Sequence, residues 1–288
     1  MRTAASARFI PMATEIERSP RDDASAPMPA GGTIRLRRSA IEVELARAAG
    51  GRIAQIRVDG VDWLIGPDEG WPQTIGWGCY PMVPWAGRVR RGHFRFDGRG
   101  YRLPTNFGGH AIHGVGFSRP WRIDARSDHA AVLSLPLPRD AYWPFGGLAR
   151  QAMTLHDYGL RLDLSVQAGE QAMPAVLGWH PWFRKPDRFI FHPDRMYPRD
   201  QDGIATLPTI PPRPGPWDDG FIAEGGAVLE RGARRLRITS DCNHWVIYDA
   251  AVHATCVEPQ TGPPDGFNLE PRIVEAGQTL AMWVEFRW

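Results

Sequence analysis

The chain has 288 residues, is 43% hydrophobic and 23% charged, and carries a formal charge of +2 with a pI near 8.6. That length suits one large domain or two ordinary ones with a substantial core, and a balance so near neutral argues for neither a nucleic-acid nor a membrane partner. Three widely spaced cysteines, Cys79, Cys242 and Cys256, form no disulfide framework and no CxxC pair, and no apolar run approaches the roughly 18 residues of a membrane span. A reducing, cytoplasmic setting is therefore expected.

Residues 1–32 are rich in Ala, Arg, Pro, Ser and Asp and end in Pro29-Ala30-Gly31-Gly32. The apolar patch around Phe9-Ile10-Pro11-Met12 is too short for a signal-peptide core, and Glu15, Glu17, Asp22 and Asp23 argue against a transit peptide. This stretch is expected to be a disordered or loosely docked tail. From residue 33 to 288 the periodicity is two. Ile41, Val43 and Leu45 alternate with Glu42 and Glu44, which makes one face of a strand apolar. Ile53, Ile56 and Val58 lead into Asp59-Gly60 and then Val61, Trp63 and Leu64. The segment His93-Phe94-Arg95-Phe96 leads likewise into Asp97-Gly98, Tyr101 and Leu103. Each Asp-Gly pair signals a hairpin, because both central residues of a type I′ turn need positive φ.

Leu160, Leu162, Leu164 and Val166 alternate with Arg161, Asp163 and Ser165, and segments at 236–238, 245–248 and 282–286 read as further strands. No stretch of ten residues carries a helical stripe. Glycine (31) and proline (27) are spread through the chain, as many short strands and turns require. The Pro-rich segment 208–216 reads as a long surface loop. The body, residues 33–288, is expected to be one large antiparallel all-β domain, a sandwich in preference to a barrel.

Polar candidates fall in four segments next to turn residues, and so at expected strand ends: residues 84–89, 106–114, 178–183 and 257–268. Twelve tryptophans offer platforms for the apolar face of a sugar ring, although most must fill a β core. Metal binding lacks a local signature. His110 and His113 are three apart and point to opposite faces of an extended strand, so a zinc site would need His113, His180 and Glu258 to meet by folding. Neither a GxSxG elbow nor a phosphate-cradling glycine motif is present. The arginines from Arg88 to Arg102 leave an anionic substrate open, although Arg95 alternates with Phe94 and Phe96 and so faces solvent. What remains is cofactor-free general acid–base chemistry. Glu and His, with ordinary pKa values of about 4.3 and about 6.5, together offer a base and an acid near neutral pH.

At these segments the chain resembles the aldose 1-epimerase, or galactose mutarotase-like, family. Gly87-Arg88-Val89, Ala111-Ile112-His113-Gly114, His180-Pro181-Trp182-Phe183 and Glu258-Pro259-Gln260-Thr261-Gly262-Pro263-Pro264-Asp265 with Asn268 carry the resemblance, in order, from about residue 33 to Trp288. The resemblance implies a β-supersandwich and an isomerase that interconverts the α and β anomers of an aldose without cofactor or metal. By the same analogy Glu258 is the general base on the anomeric hydroxyl, and His180 the general acid at the ring oxygen, its imidazolium favoured by a nearby carboxylate. His113 polarises the ring-oxygen region, Arg88 and Asp218 hold hydroxyls, and Trp182 meets the sugar ring. The family's Asn before the arginine is Gly87 here, which implies one sugar contact fewer. Asp218 and Asp219 compete for one role, as do Trp179 and Trp182. A hexose-6-phosphate 1-epimerase and a non-catalytic carbohydrate-binding protein are the alternatives. The expected partner is a small sugar, and the chain is a monomer or a homodimer.

Overall fold

The computed structural model describes residues 23–69 and 71–288; residues 1–22, most of the expected tail, lie outside the described residues. The described chain is almost entirely β and is built on two large antiparallel sheets. One sheet runs in the order Ile34–Arg38, Ile41–Ala46, Arg52–Val58, Cys79–Met82, Gly178–Arg184, Ala254–Gln260, His244–Tyr248, Asp218–Ile222 and Arg195–Tyr197, with Val61–Asp62 added to the third strand. The other runs Arg122–Arg126, Ala130–Pro136, Leu148–His156, Gly159–Gln167, Thr279–Arg287, Arg234–Ser240, Ala227–Arg231 and Arg188–Ile190. Among the described residues only one short α-helix, Gly266–Leu269, interrupts this plan.

Local sequence explains the hairpins. Asp59 and Gly60 have φ of 50° and 76°, Asp97 and Gly98 of 47° and 70°, the double positive φ that a type I′ turn demands. In Gly159–Gln167, Leu160, Leu162, Leu164 and Val166 are buried while Arg161, Asp163 and Ser165 are half-buried on the other face. One contiguous apolar cluster joins the two sheets, and Phe183 of the first meets Phe286 of the second edge to face at 5.4 Å. Residues 23–28 lie along the segment 72–75. Ala26 accepts from the Thr74 amide at 2.8 Å, the Met28 amide donates to Pro72 at 2.9 Å, and Ala24 and Met28 are buried.

One expectation needs correction. Residues 178–183 do not sit at a strand end but fill a strand, whereas 257–268 begin in the C-terminal half of one and run on into the turn beyond it. These are two adjacent central strands of the first sheet, Gly178–Arg184 and Ala254–Gln260. Both strands are buried on both faces, so they lack the polar alternation that marks a half-exposed strand, and their flanking glycines and prolines read as turns.

Candidate active site

Strand register puts the candidates on one face. In Gly178–Arg184, Phe183 turns toward the second sheet, so Trp179, Pro181 and Phe183 share the inner face and His180 and Trp182 the outer one. Trp182 is paired with Cys256, His180 with Tyr80, Glu258 with Val246, Cys256 with Tyr248, and Tyr248 with Asp218. Directly paired residues of an antiparallel ladder point the same way. His180, Trp182, Glu258, Asp218, Tyr248 and Tyr80 therefore project from one face of five consecutive strands. Trp179, wholly buried, belongs to the core, which decides between the two tryptophans: Trp182 is two steps from His180 and Trp179 one.

Over this face opens a pocket of about 260 Å³, lined among others by Arg88, His113, His180, Trp182, Asp218 and Glu258. All six residues singled out in the sequence thus meet in one cavity. At its floor His180 Nε2 lies 3.2 Å from Glu258 Oε1, with His180 5% and Glu258 2% exposed. Glu258 Oε2 accepts from Gln260 Nε2 at 3.4 Å. The His180 ring stacks on Tyr80, at 4.7 Å between centroids and 28°, and on Trp182, at 5.5 Å and 14°, which fixes its plane. His113 meets His180 edge-on at 5.0 Å.

His113 is held by backbone strain rather than by a strand. It takes φ of 60°, followed by Gly114 at 77°, and its amide donates to Gly87 at 3.1 Å. Gly87 itself has φ of 67°, and a Cβ there would lie 3.0 Å from Pro264, so the glycine lets the arginine strand pass close to the Pro-Pro turn. The Thr-Gly-Pro-Pro-Asp block works as scaffold. Thr261 Oγ1 accepts from the Leu177 amide at 2.9 Å, next to the histidine strand. The Asp265 amide donates to the Arg88 carbonyl at 2.8 Å, and Asp265 Oδ1 accepts from the Arg90 amide at 3.0 Å and from Asn268 Nδ2 at 2.8 Å. That explains why Arg88 and Glu258, 170 positions apart in the chain, reach the same cavity.

Both aspartates line the pocket, and Asp218 is clamped by Arg199, whose Nη1 is 2.8 Å from Asp218 Oδ2 and also bonds its carbonyl. Arg199, Tyr80, Tyr248 and Trp71 were not legible beforehand, since each lies in a segment with no distinguishing motif. His110, by contrast, stays out of the pocket lining; its Nδ1 accepts from the Arg91 amide at 3.0 Å and so braces the arginine segment.

The electrostatics differ from the sequence expectation. Burial, and then the charge of Arg52, push His180 down to about 3, away from the imidazolium form. Burial, and then Asp218, push the Glu258 carboxyl well above the usual carboxylate range, with Arg88 and the Gln260 bond opposing. His113 is driven well down by burial, with His180 and Arg88 adding to it. The resting pair is therefore neutral, one proton residing on the carboxyl side. A nearby carboxylate was expected to favour imidazolium; desolvation of both partners outweighs that attraction.

His180, Cys256 and Glu258 have potential ligand atoms within 4.8 Å of one another. A tetrahedral zinc shell has donor–donor edges of only about 3.5 Å. The arrangement suits proton exchange between Glu258 and His180 better than it suits gripping a metal.

The family model described as aldose 1-epimerase matches residues 33–218. The uncharacterized protein YphB of Escherichia coli K12 is 33% identical over 108 residues, and YihR of the same organism is 30% identical over 105. These matches span 36% and 34% of those relatives' lengths. A galactose mutarotase-like protein from Clostridium acetobutylicum superposes with a TM-score of 0.79 at 17% identity, covering 88% of this chain and 94% of that one. The galactose 1-epimerase from Lactobacillus acidophilus NCFM superposes with a TM-score of 0.74 at 18% identity, covering 88% and 93%. At such identities the structural likeness establishes the fold.

Proposed function

The chain belongs to the aldose 1-epimerase family, and on that premise we propose that it interconverts the α and β anomers of a free aldose by acid–base opening and closing of the hemiacetal ring. The observation that carries this reading is the buried pair at the pocket floor, His180 Nε2 and Glu258 Oε1 at 3.2 Å. Ring opening removes a proton from the anomeric hydroxyl and delivers one to the ring oxygen. A carboxyl and an imidazole sharing a single proton do both, and they exchange roles when the ring closes on the other face.

Glu258 takes the hydroxyl proton and His180 protonates the ring oxygen. The neutral resting pair reaches this state by passing one proton across the 3.2 Å contact. His113, kept neutral by burial, lines the same pocket beside His180. Arg88 and Asp218 hold hydroxyls, and Trp182, its ring stacked on His180 and on His253, walls the pyranose with its edge. An unphosphorylated sugar is favoured because Asp218 and Asp219 both line the pocket, and Arg199 is already committed to Asp218. The arginines of the 93–102 hairpin are exposed and line no part of it.

The test is a polarimetric mutarotation assay on a panel of free and 6-phosphorylated aldoses. Acceleration of free aldoses, lost in Glu258→Gln and His180→Asn, supports the reading. Sugar binding without acceleration by the wild type would replace it with a non-catalytic carbohydrate-binding role.

A further inference from the structure

Arg52 opens the strand Arg52–Val58 and is wholly buried. Its Nε donates to the Ala49 carbonyl at 2.7 Å, Nη1 to Thr74 at 2.8 Å and Trp77 at 3.0 Å, and Nη2 to Phe117 at 2.8 Å. The remaining contact is Met28 Sδ, 3.6 Å from Nη2. A guanidinium has five N–H donors, and here they meet five neutral acceptors. Among the described residues no carboxylate pairs with it; the nearest ionisable groups are Tyr80 and Cys79, and burial holds both of those neutral. A buried cation without a counter-ion costs stability, offset here by those hydrogen bonds and by the rings of Trp77 and Tyr80, 4.3 and 4.8 Å away, but its charge is left uncancelled.

The field points at the pocket floor. The Arg52 guanidinium carbon sits 4.8 Å from the Tyr80 ring centroid, and His180 stacks on that same ring at 4.7 Å. The other groups facing His180 are Glu258 and Cys256 on Ala254–Gln260 and His113 from the turn, with Arg88 and Asp218 across the pocket. We propose that Arg52 is a positioning residue for the acid–base pair. Its uncompensated charge, set behind the Tyr80 ring, keeps the resting proton off His180 and makes the imidazolium, once formed, a stronger acid toward the ring oxygen. Sugar ring oxygens are weak bases: the same field that makes the imidazolium rarer in the resting pair makes each proton it holds easier to transfer. This inference rests on the mutarotation reading for its purpose, but its electrostatic content belongs to the ligand-free protein.

With the charge under about 10 Å from the imidazole and an effective dielectric near 20, Coulomb's law gives roughly a tenfold to twentyfold effect on the His180 protonation constant. Three variants separate charge from packing. Arg52→Lys keeps the charge. Arg52→Met removes it but strands four carbonyls. Met28→Glu leaves those bonds intact and sets a carboxylate beside Nη2, and is therefore the deciding variant. The readout is the protonated fraction of His180 at pH 5, from imidazole ¹⁵N shifts of the ligand-free protein.

The fraction is expected to rise about tenfold in Met28→Glu and Arg52→Met and to stay within twofold of wild type in Arg52→Lys. A folded Met28→Glu protein whose His180 fraction stays within twofold of wild type overturns the proposal, as does an equal rise in Arg52→Lys. A tenfold rise in a protein that does not accelerate mutarotation leaves the electrostatic coupling standing and sinks the activity reading alone.

Discussion

Replacing Glu258 by Gln keeps the shape of the pocket floor and removes only the group that exchanges a proton with His180. A positioned acid–base group contributes about 10²–10⁴-fold to the rate. Water can partly replace a catalytic group at an open site, but Glu258 is 2% exposed and its contact atom lies 3.2 Å from His180. The loss should therefore reach at least about 10³-fold in kcat, or about 4 kcal/mol of transition-state stabilisation, with KM little changed.

The same substitution has an opposite effect on stability. Burial and Asp218 raise the folded Glu258 carboxyl well above its unfolded value. The unfolded carboxyl ionises near pH 4.3 while the folded one resists, so the wild type loses stability as pH rises from there through the folded pKa. Gln carries no such penalty. Glu258→Gln should thus melt above wild type at pH 8, with the gap closing by pH 4. Polarimetry gives the first quantity and calorimetry the second. A variant within tenfold of wild-type activity, or a melting gap that does not change between pH 4 and pH 8, would refute the reasoning.

Further outcomes follow from the same geometry. His180→Asn should cost a similar factor, and the Glu258→Gln/His180→Asn double variant should be hardly slower than either single one in the same assay, because the two groups act as a unit. Because the folded His180 is depressed to about 3, the stability it contributes is present above pH 6.5 and is lost as pH falls toward that value. In urea titrations at pH 7 and pH 4.5, His180→Asn should therefore lose less stability on acidification than wild type. Asp218→Asn should raise KM several-fold and leave kcat within a few-fold, since Asp218 lies on the pocket wall and is paired to Arg199. Trp182→Ala, at a 4% exposed site packed on His180, should cost about 3–5 kcal/mol of unfolding free energy by chemical denaturation.

The sequence by itself determined the all-β character and the two Asp-Gly hairpins, and its family resemblance implied the six residues that meet in one cavity. Those are local facts or short motifs: positive φ at Asp59-Gly60 and Asp97-Gly98, alternation at Leu160 to Val166, and histidine and glutamate beside glycine and proline. The two central strands escaped this reading because burial on both faces removes the alternation that reveals a strand. Only the tertiary structure decided which tryptophan faces the pocket, for strand register turns Trp182 outward with His180 and Trp179 into the core. It alone brought in Arg199 beside Asp218, and Arg52 behind Tyr80, through contacts with residues distant in the chain or in segments without a motif. It also reversed the expected charge of the pair. A neighbouring carboxylate favours imidazolium when both groups are wet, whereas at 5% and 2% exposure desolvation wins, and burial is a property of the packed fold rather than of any stretch of sequence.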